Sequence, residues 1–316
     1  MGVNEMGDYL KISDIGPEII LCIDLSPTYS PSISLTPTIS PTELNFEVCS
    51  SRVTVEGSVC VLTTIQTVKC FGSNSNGILG YGDIVNRGGS NGEMGNYLPT
   101  VALNGNGISI HTGQASCVHL SNLEIQCWGY NGFGQLGYGD QLNRGDNPGE
   151  MGDYLPFVNY GGTVMDFTSG RYHNIAHFDN GKIKANGYNT FGQLGYENSL
   201  NKGDNINEMG NYLPFINLGI GRVSTSTFAL ETASCSILDN QEVKCWGLNN
   251  KGQLGYGDNV IRGNENDEMG SYLPYLQFPS GASPIHLVGG WLIAGIITSS
   301  RSLYIWGDGL NGGLVS

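Results

Sequence analysis

Residues 124–156 read EIQCWGYNGFGQLGYGDQLNRGDNPGEMGDYLP, and most of the chain is built from copies of this stretch. Copies of its central motif begin at five positions, which are Phe71, Trp128, Asn186, Trp246 and Trp306. The intervals between these positions are 57, 58, 60 and 60 residues. A fixed period of this length indicates a repeat protein, in which each unit buries its apolar face against its neighbours.

Every copy has the same internal order of short apolar strands, tight turns and glycines. Four short strands in each unit predict an all-β fold, a β-propeller with four-stranded blades. The motif copies predict about five blades. Residues 3–10, VNEMGDYL, match the end of a repeat, and the last copy stops at GGLVS. The two ends therefore predict one further blade that is split or incomplete.

This organisation divides the chain into three segments. We expect a remnant of a repeat over 1–25, a linker over 26–44 and the propeller over 45–316. The linker contains SPTYSPSISLTPTISPTE, whose Ser, Thr and Pro content predicts an extended connection rather than a strand. Such a composition is also typical of O-glycosylated segments.

The charge balance restricts the classes of partner. The chain of 316 residues has 14 basic and 28 acidic residues, a formal net charge of −14. A nucleic-acid-binding protein needs a positive surface, so we expect no nucleic-acid partner. The sequence contains no apolar run of about 18 residues, which predicts no membrane span. The first twenty residues show no signal-peptide pattern.

Six of the eight cysteines form three pairs at one spacing: Cys60 with Cys70, Cys117 with Cys127, and Cys235 with Cys245. A hairpin about Asn122 would place the two cysteines of its pair directly opposite each other, within disulfide distance. The equivalent positions hold Ile175 and Ala185 in the third copy and Gly295 and Ile305 in the last. The cysteines are thus present or absent together, which predicts three disulfides. The alternative is three pairs of buried free thiols.

Persistent disulfides indicate an oxidising compartment, so we expect an extracellular or cell-surface protein, with a cytoplasmic location as the alternative. Cys22 and Cys49 fit no repeat position, and their pairing stays open.

The pattern C-x9-C-[WF]-G-x-N-x-x-G-[QI]-L-G, followed by a loop and Leu-Pro, resembles the RCC1 repeat of the regulator of chromosome condensation family. The resemblance covers roughly 45–316 and the fragment 3–16. It implies a propeller, usually seven-bladed, whose face or rim binds protein partners. The founding member is a guanine-nucleotide exchange factor for the small GTPase Ran.

This chain departs from that family in several respects. It has fewer than seven copies, a longer period and an acidic composition that argues against chromatin. The family's recurrent His survives only as His173. No exchange-factor residues can be carried over to this sequence.

The long polar loops are the candidate binding sites, over roughly 83–99, 140–156, 197–214 and 258–274. Their equivalent positions in successive repeats predict that they line one face or rim. The candidate partner-binding residues are Arg87, Glu93, Asp140, Arg144, Asp146, Glu150, Lys202, Asp204, Asp258 and Arg262.

Several motifs allow other interpretations. Residues 144–146 spell the integrin motif RGD, but the basic residue recurs without the tripeptide, which favours a structural arginine that pairs with loop acids. The acidic loops could hold Ca²⁺, although no EF-hand spacing is present. His173 and His177 could form a metal pair, but hydrogen-bonded structural roles are favoured. The off-pattern Trp291 is a candidate exposed residue.

We find no catalytic residues, resident metal or cofactor in the sequence. The favoured hypothesis is a non-enzymatic protein–protein interaction module outside the cytosol. The alternatives are a cytosolic regulator of a small GTPase, by family analogy, and an enzyme acting on polysaccharide or peptide. Open blade edges would also allow self-association.

Overall fold

The computed structural model describes residues 52–53 and 57–308, and this part of the chain forms five three-stranded antiparallel sheets. Helical structure in these residues is limited to 3-10 turns of three residues. The strands are β1 (Arg52–Val53), β2 (Ser58–Leu62), β3 (Val68–Gly72), β4 (Gly107–Thr112), β5 (Ala115–Leu120), β6 (Ile125–Gly129), β7 (Val164–Ser169), β8 (His173–Phe178), β9 (Ile183–Gly187), β10 (Ser224–Ala229), β11 (Ala233–Leu238), β12 (Val243–Gly247), β13 (Pro284–Gly289), β14 (Ile293–Thr298) and β15 (Leu303–Gly307). The 3-10 turns are Ser75–Gly77, Gly95–Tyr97, Gly152–Tyr154 and Gly210–Tyr212. The predictions for 1–25, for the linker 26–44 and for Cys22 and Cys49 lie outside the described residues.

Each sheet is a meander of strands in sequence order, which confirms the all-β propeller architecture. The second and third strands of each sheet are joined by a tight hairpin whose third turn residue has a positive φ. This residue is Gly181 in the third sheet, with φ 72°, and Leu123 in the second, with φ 66°. Asn122, just before Leu123, accepts a hydrogen bond from the Glu124 N–H at 3.2 Å. The Asn side chain thereby holds the turn that the spacing predicted.

The prediction of four-stranded blades is wrong for the described sheets, which have three strands each. The polar loop takes the fourth position but joins the sheet through a single bridge. Gly129 N–H donates to the Arg144 carbonyl at 2.7 Å, and Arg144 N–H donates back at 3.2 Å. The same bridge joins Gly72 to Arg87, Gly187 to Lys202 and Gly247 to Arg262. Gly129 has φ 103°, so the backbone leaves the extended conformation after one pair and no ladder can grow.

Successive sheets stack, with β4 against β2, β10 against β8 and β13 against β11. Buried tryptophans join the repeats: the indole N–H of Trp246 donates to the carbonyl of Gln193 in the preceding repeat at 3.0 Å. Trp128 and Trp306 make the equivalent bonds. Gly195 makes room for this contact, because a Cβ at that position would lie 2.8 Å from the indole nitrogen of Trp246. The recurrent tryptophans therefore hold each blade to its neighbour.

The third repeat solves the same packing problem with different residues. Asn186 occupies the tryptophan position, and its side-chain amide donates to the Gly134 carbonyl at 2.9 Å. Tyr160 is fully buried beside it, and its hydroxyl donates to the Asn186 side-chain oxygen at 2.6 Å. A larger residue at position 160 thus compensates for a smaller one at 186.

The three predicted disulfides, Cys60–Cys70, Cys117–Cys127 and Cys235–Cys245, are present in the structure, each with a Cα–Cα distance of 4.1 Å. Each bond joins directly opposed residues of the second and third strands of a sheet. All six cysteines are buried. Ile175 and Ala185 are opposed in the same register in the third sheet, so an apolar pair replaces the bond there.

Candidate functional site

The long loops are built by a side-chain network that recurs in all four of them. In the second repeat, the Asn131 side-chain oxygen accepts the Leu136 N–H at 2.9 Å, and its amide donates to the Asp140 carbonyl at 2.8 Å. The Asp140 carboxylate in turn accepts the Leu142 N–H at 2.9 Å. One buried asparagine therefore ties the glycine-rich turn to the start of the loop.

The recurring basic residue pairs with an acid of its own loop, as predicted. Arg144 contacts both carboxylate oxygens of Asp140, at 2.7 and 3.0 Å. Its guanidinium carbon also lies 4.6 Å from the ring centroid of Tyr138. In the fourth repeat, the hydrogen bond from Arg262 lowers the pKa of Asp258. Arg144 is therefore committed to its own loop, which supports a structural role over an integrin-binding one.

The recurring glutamate holds the far end of each loop. One oxygen of Glu150 accepts the N–H groups of Gly145 and Asn147, at 2.9 and 3.0 Å. Glu93, Glu208 and Glu268 make the equivalent bonds. These acids satisfy backbone donors that the loop would otherwise leave unpaired.

Most of the predicted partner-binding residues thus support the loops themselves. Arg87 pairs with Asp83 at 2.7 Å, and Lys202 with Glu208 at 3.1 Å. These contacts bring each predicted basic residue to an acid of the same repeat. Whether the same side chains also bind a partner stays a prediction.

Asp146 and Asp204 are the exceptions, because each lies beside another carboxylate rather than a base. Partial burial raises the pKa of Asp146, and the neighbouring Glu150 raises it further. Burial and Glu208 raise the pKa of Asp204 in the same way. Each of these two loops therefore holds its own pair of neighbouring carboxyl groups, and ionisation of one group opposes ionisation of the other.

The sequence reasoning missed the exposed side chains that these loops display. Four tyrosines at equivalent positions are exposed by 79, 78, 71 and 70%, namely Tyr97, Tyr154, Tyr212 and Tyr272. An exposed aliphatic residue also recurs in every loop: Val85, Leu142, Leu200 and Val260. The available signal was the tyrosine that is constant in the E-M-G-x-Y-L-P motif although its preceding neighbour varies.

In the second repeat, the exposed tyrosine and the exposed aliphatic residue lie in the wall of the same concavity. Leu142 and Tyr154 line one open concavity of about 630 Å³, together with Asp146 and Glu150. Tyr130 contributes a second aromatic ring to its wall. The concavity combines aromatic and aliphatic surface with two carboxyl groups, a combination suited to a ligand with an apolar stem and a positive charge.

The two histidines have separate structural contacts. His173 is buried, and its Nε2 lies 2.9 Å from the Ser234 hydroxyl. Burial lowers the pKa of His173 to about 3, so the ring is neutral at physiological pH. His177 Nε2 bonds to the Ser224 carbonyl at 2.9 Å. Within 57–308, no group of three His, Cys, Asp or Glu side chains is arranged to hold a metal ion.

A second aromatic feature is a cluster of rings around Phe133. Phe133 packs against Tyr172 and Tyr188, with ring centroids 5.5 and 4.6 Å apart. Trp291 is 51% exposed, as its off-pattern position suggested, and the Arg171 guanidinium carbon lies 5.9 Å from its ring. In the described part of the chain, none of the helical turns has the length and hydropathy needed to cross a membrane.

Comparison with known proteins gives distant but extensive likenesses. No protein-family model matches the chain. The ultraviolet-B receptor UVR8 of Arabidopsis thaliana is 24% identical over 269 residues, which are 81% of this chain and 52% of the receptor. The chain therefore spans about half the length of this curated relative.

Solved structures show the same fold. Human WBSCR16 superposes with a TM-score of 0.63 at 15% identity, over 84% of this chain and 63% of that one. Prp20p from Saccharomyces cerevisiae gives 0.57 at 16% identity, over 81% and 57% of the two chains. Yeast RCC1 (Prp20) bound to Kap60 gives 0.56 at 17% identity, over 80% and 54%. The repeats and these superpositions together establish that the chain has an RCC1-like β-propeller fold.

Proposed function

We propose that this chain is a non-enzymatic protein–protein interaction module that works outside the cytosol and binds its partner through its four long loops. One observation carries the proposal: successive repeats hold these loops by the same network and display the same kinds of exposed apolar side chain. A loop held by its own hydrogen bonds loses little conformational freedom on binding, which favours recognition.

The likenesses support a binding role for this fold. One of the similar structures is of yeast RCC1 bound to Kap60, and Prp20p is described with binding properties to Gsp1p and histones. The partners named for these two structures, Kap60, Gsp1p and histones, are all proteins. The three disulfides support an oxidising compartment, because cytosolic reductants keep such pairs reduced.

The binding role is tested by removing the exposed aliphatic side chains. A variant with Val85, Leu142, Leu200 and Val260 changed to serine should fold, because these side chains are exposed. Tagged wild-type protein should capture a specific partner from extracellular fluid of its source, and the serine variant should not. Ile220→Ser is the matched control, since Ile220 is 92% exposed but lies outside the four loops. Equal capture by all three proteins would refute binding through the loops.

The compartment is tested by intact mass after alkylation, with and without prior reduction, on protein from its native source. Protection of six or more cysteines until reduction is the expected result. Alkylation of all eight without reduction would remove the extracellular assignment. It would also make a cytosolic regulator of a small GTPase the next function to test.

A further inference from the structure

The four exposed tyrosines are constant where their surroundings have changed. The residue before the tyrosine is Asn96, Asp153, Asn211 or Ser271 in the four described copies. The three residues before the recurring glutamate also differ, as in SNG at 90–92 and NIN at 205–207. Drift has therefore acted on these loops, yet each copy retains the tyrosine.

Structural need explains the other constant residues of the motif but not this one. Gly152 has a positive φ of 62°, and Leu155 is buried in the core. Glu150 binds two backbone N–H groups. Tyr154, by contrast, is 78% exposed, and the described part of the chain offers its hydroxyl no hydrogen-bond partner. Tyr97, Tyr212 and Tyr272 are exposed to a similar extent.

The charge around these tyrosines indicates which partner would fit. The four loops together hold four basic and thirteen acidic residues, which account for nine of the chain's fourteen net negative charges. Within the concavity of the second repeat, Arg144 is already paired with Asp140 at 2.7 Å. Asp146 and Glu150 line the same concavity, and the charged side chain that acts on Asp146 is Glu150 rather than a base. Because the joint ionisation of these two neighbouring carboxyl groups is opposed, a positive group entering the concavity would favour their charged forms and relieve their repulsion.

We propose that the loops bind a basic protein segment, with a lysine or arginine side chain of the partner seated against Tyr154 in the concavity and further ones against Tyr97, Tyr212 and Tyr272. This inference rests on the proposed function and names its partner class. The ring face attracts the cation, Asp146 and Glu150 supply opposite charge, and Leu142 packs against the aliphatic stem.

Charge complementarity decides against other occupants of this surface. A second copy of the chain would bring the same acidic loops into contact and would be repelled. Repetition of the tyrosine around the blades suits an extended partner with several basic residues. Simultaneous engagement of several weak sites raises the affinity well above that of one site.

The probe for this proposal is a fluorescein-labelled octapeptide of alternating lysine and glycine, with the glutamate–glycine peptide as the charge control. Binding is followed by fluorescence anisotropy at low and at moderate NaCl concentration. We expect saturable binding of the lysine peptide alone, weakened by salt because surface charges are screened. Absence of binding at low salt would overturn the proposal.

Variants assign the binding to the tyrosines. Changing all four tyrosines to serine should weaken binding at least about tenfold, since the loss of only two exposed cation–π contacts removes about that factor. Changing all four to phenylalanine keeps the ring faces, and Ile220→Ser alters an exposed residue elsewhere, so both should bind as the wild type does. Undiminished binding by the folded serine variant would overturn the proposal by showing non-specific charge attraction.

The same variants separate this proposal from the general binding role. Suppose that wild-type protein captures the natural partner, that the variant with four tyrosines changed to serine does not, and that the lysine peptide does not bind the wild type. The basic partner class is then wrong, and the interaction role stands. If wild-type protein captures no partner and the peptide does not bind, both fail. Gel filtration at the concentrations used checks for self-association. A wild-type dimer that is lost when the four tyrosines are changed to serine would show that the tyrosines bind a second copy of the chain and not a basic partner.

Discussion

The disulfides offer the sharpest test of how this propeller is stabilised. The third repeat carries Ile175 and Ala185 where other repeats carry bonded cysteines, and these two residues are opposed in the same register. The double substitution Cys117→Ile and Cys127→Ala therefore installs in the second blade a pair that the fold already accepts. It removes the covalent bond and keeps an apolar pair in its place.

The expected cost follows from the size of the closed loop. The bond joins residues ten apart in sequence. Closing a loop of this size removes about 2.7 kcal/mol of conformational entropy from the unfolded chain, on the chain-entropy account. Because repeats open locally, the loss should appear in the second blade first. A loss of about 2.7 kcal/mol corresponds to about 100-fold faster exchange of protected amides.

Hydrogen exchange of the β5 and β6 amides measures this directly, and the amides of β11 and β12 provide an internal control. The measurement is repeated on both proteins after full reduction, when neither has a bond between residues 117 and 127. The difference in β5 and β6 should then fall below about 1.5 kcal/mol, the usual range for a tolerated apolar exchange. A difference that persists under reduction would refute the argument, because packing and not the bond would then stabilise the blade.

Two further predictions concern buried positions. Gly195→Ala should destabilise the protein by about 1–3 kcal/mol more than Gly221→Ala in chemical unfolding. A Cβ at position 195 would lie 2.8 Å from Trp246, whereas Gly221, at a similar φ of 69°, has open space around it. Equal losses of stability would show that the positive φ alone sets the cost. The neutral His173 should make stability fall as pH drops from 6.5 towards 3, since its pKa of about 3 in the fold lies below the unfolded value of 6.5 and only the unfolded chain takes up the proton in this window. The unfolding midpoint of His173→Asn should therefore depend less on pH between those values than that of the wild type. Parallel curves of midpoint against pH for the two proteins would contradict the assignment.

The exposed tyrosines of the loops are identified by their burial in the structure and not by charge in the sequence. Charged loop residues such as Arg144 and Glu150 stood out in the sequence, yet their charges are used within the loop. Tyr154 carries no charge, and it directly precedes Leu155, which is buried in the core, so the sequence alone does not mark it as exposed. Loops have no regular side-chain period, so exposure there cannot be read from spacing as it can in a strand.

The sequence by itself determined the repeat architecture, the all-β class and the cysteine pairing. Each of these is a periodic property: copies recur at 57–60 residues, and a hairpin of fixed length places paired cysteines opposite each other. Only the tertiary structure decided that the fourth strand is a single bridge, that Tyr160 compensates for Asn186, and that four tyrosines face solvent. These features depend on contacts between repeats and on how each loop folds back on its own backbone, which no local pattern of residues specifies.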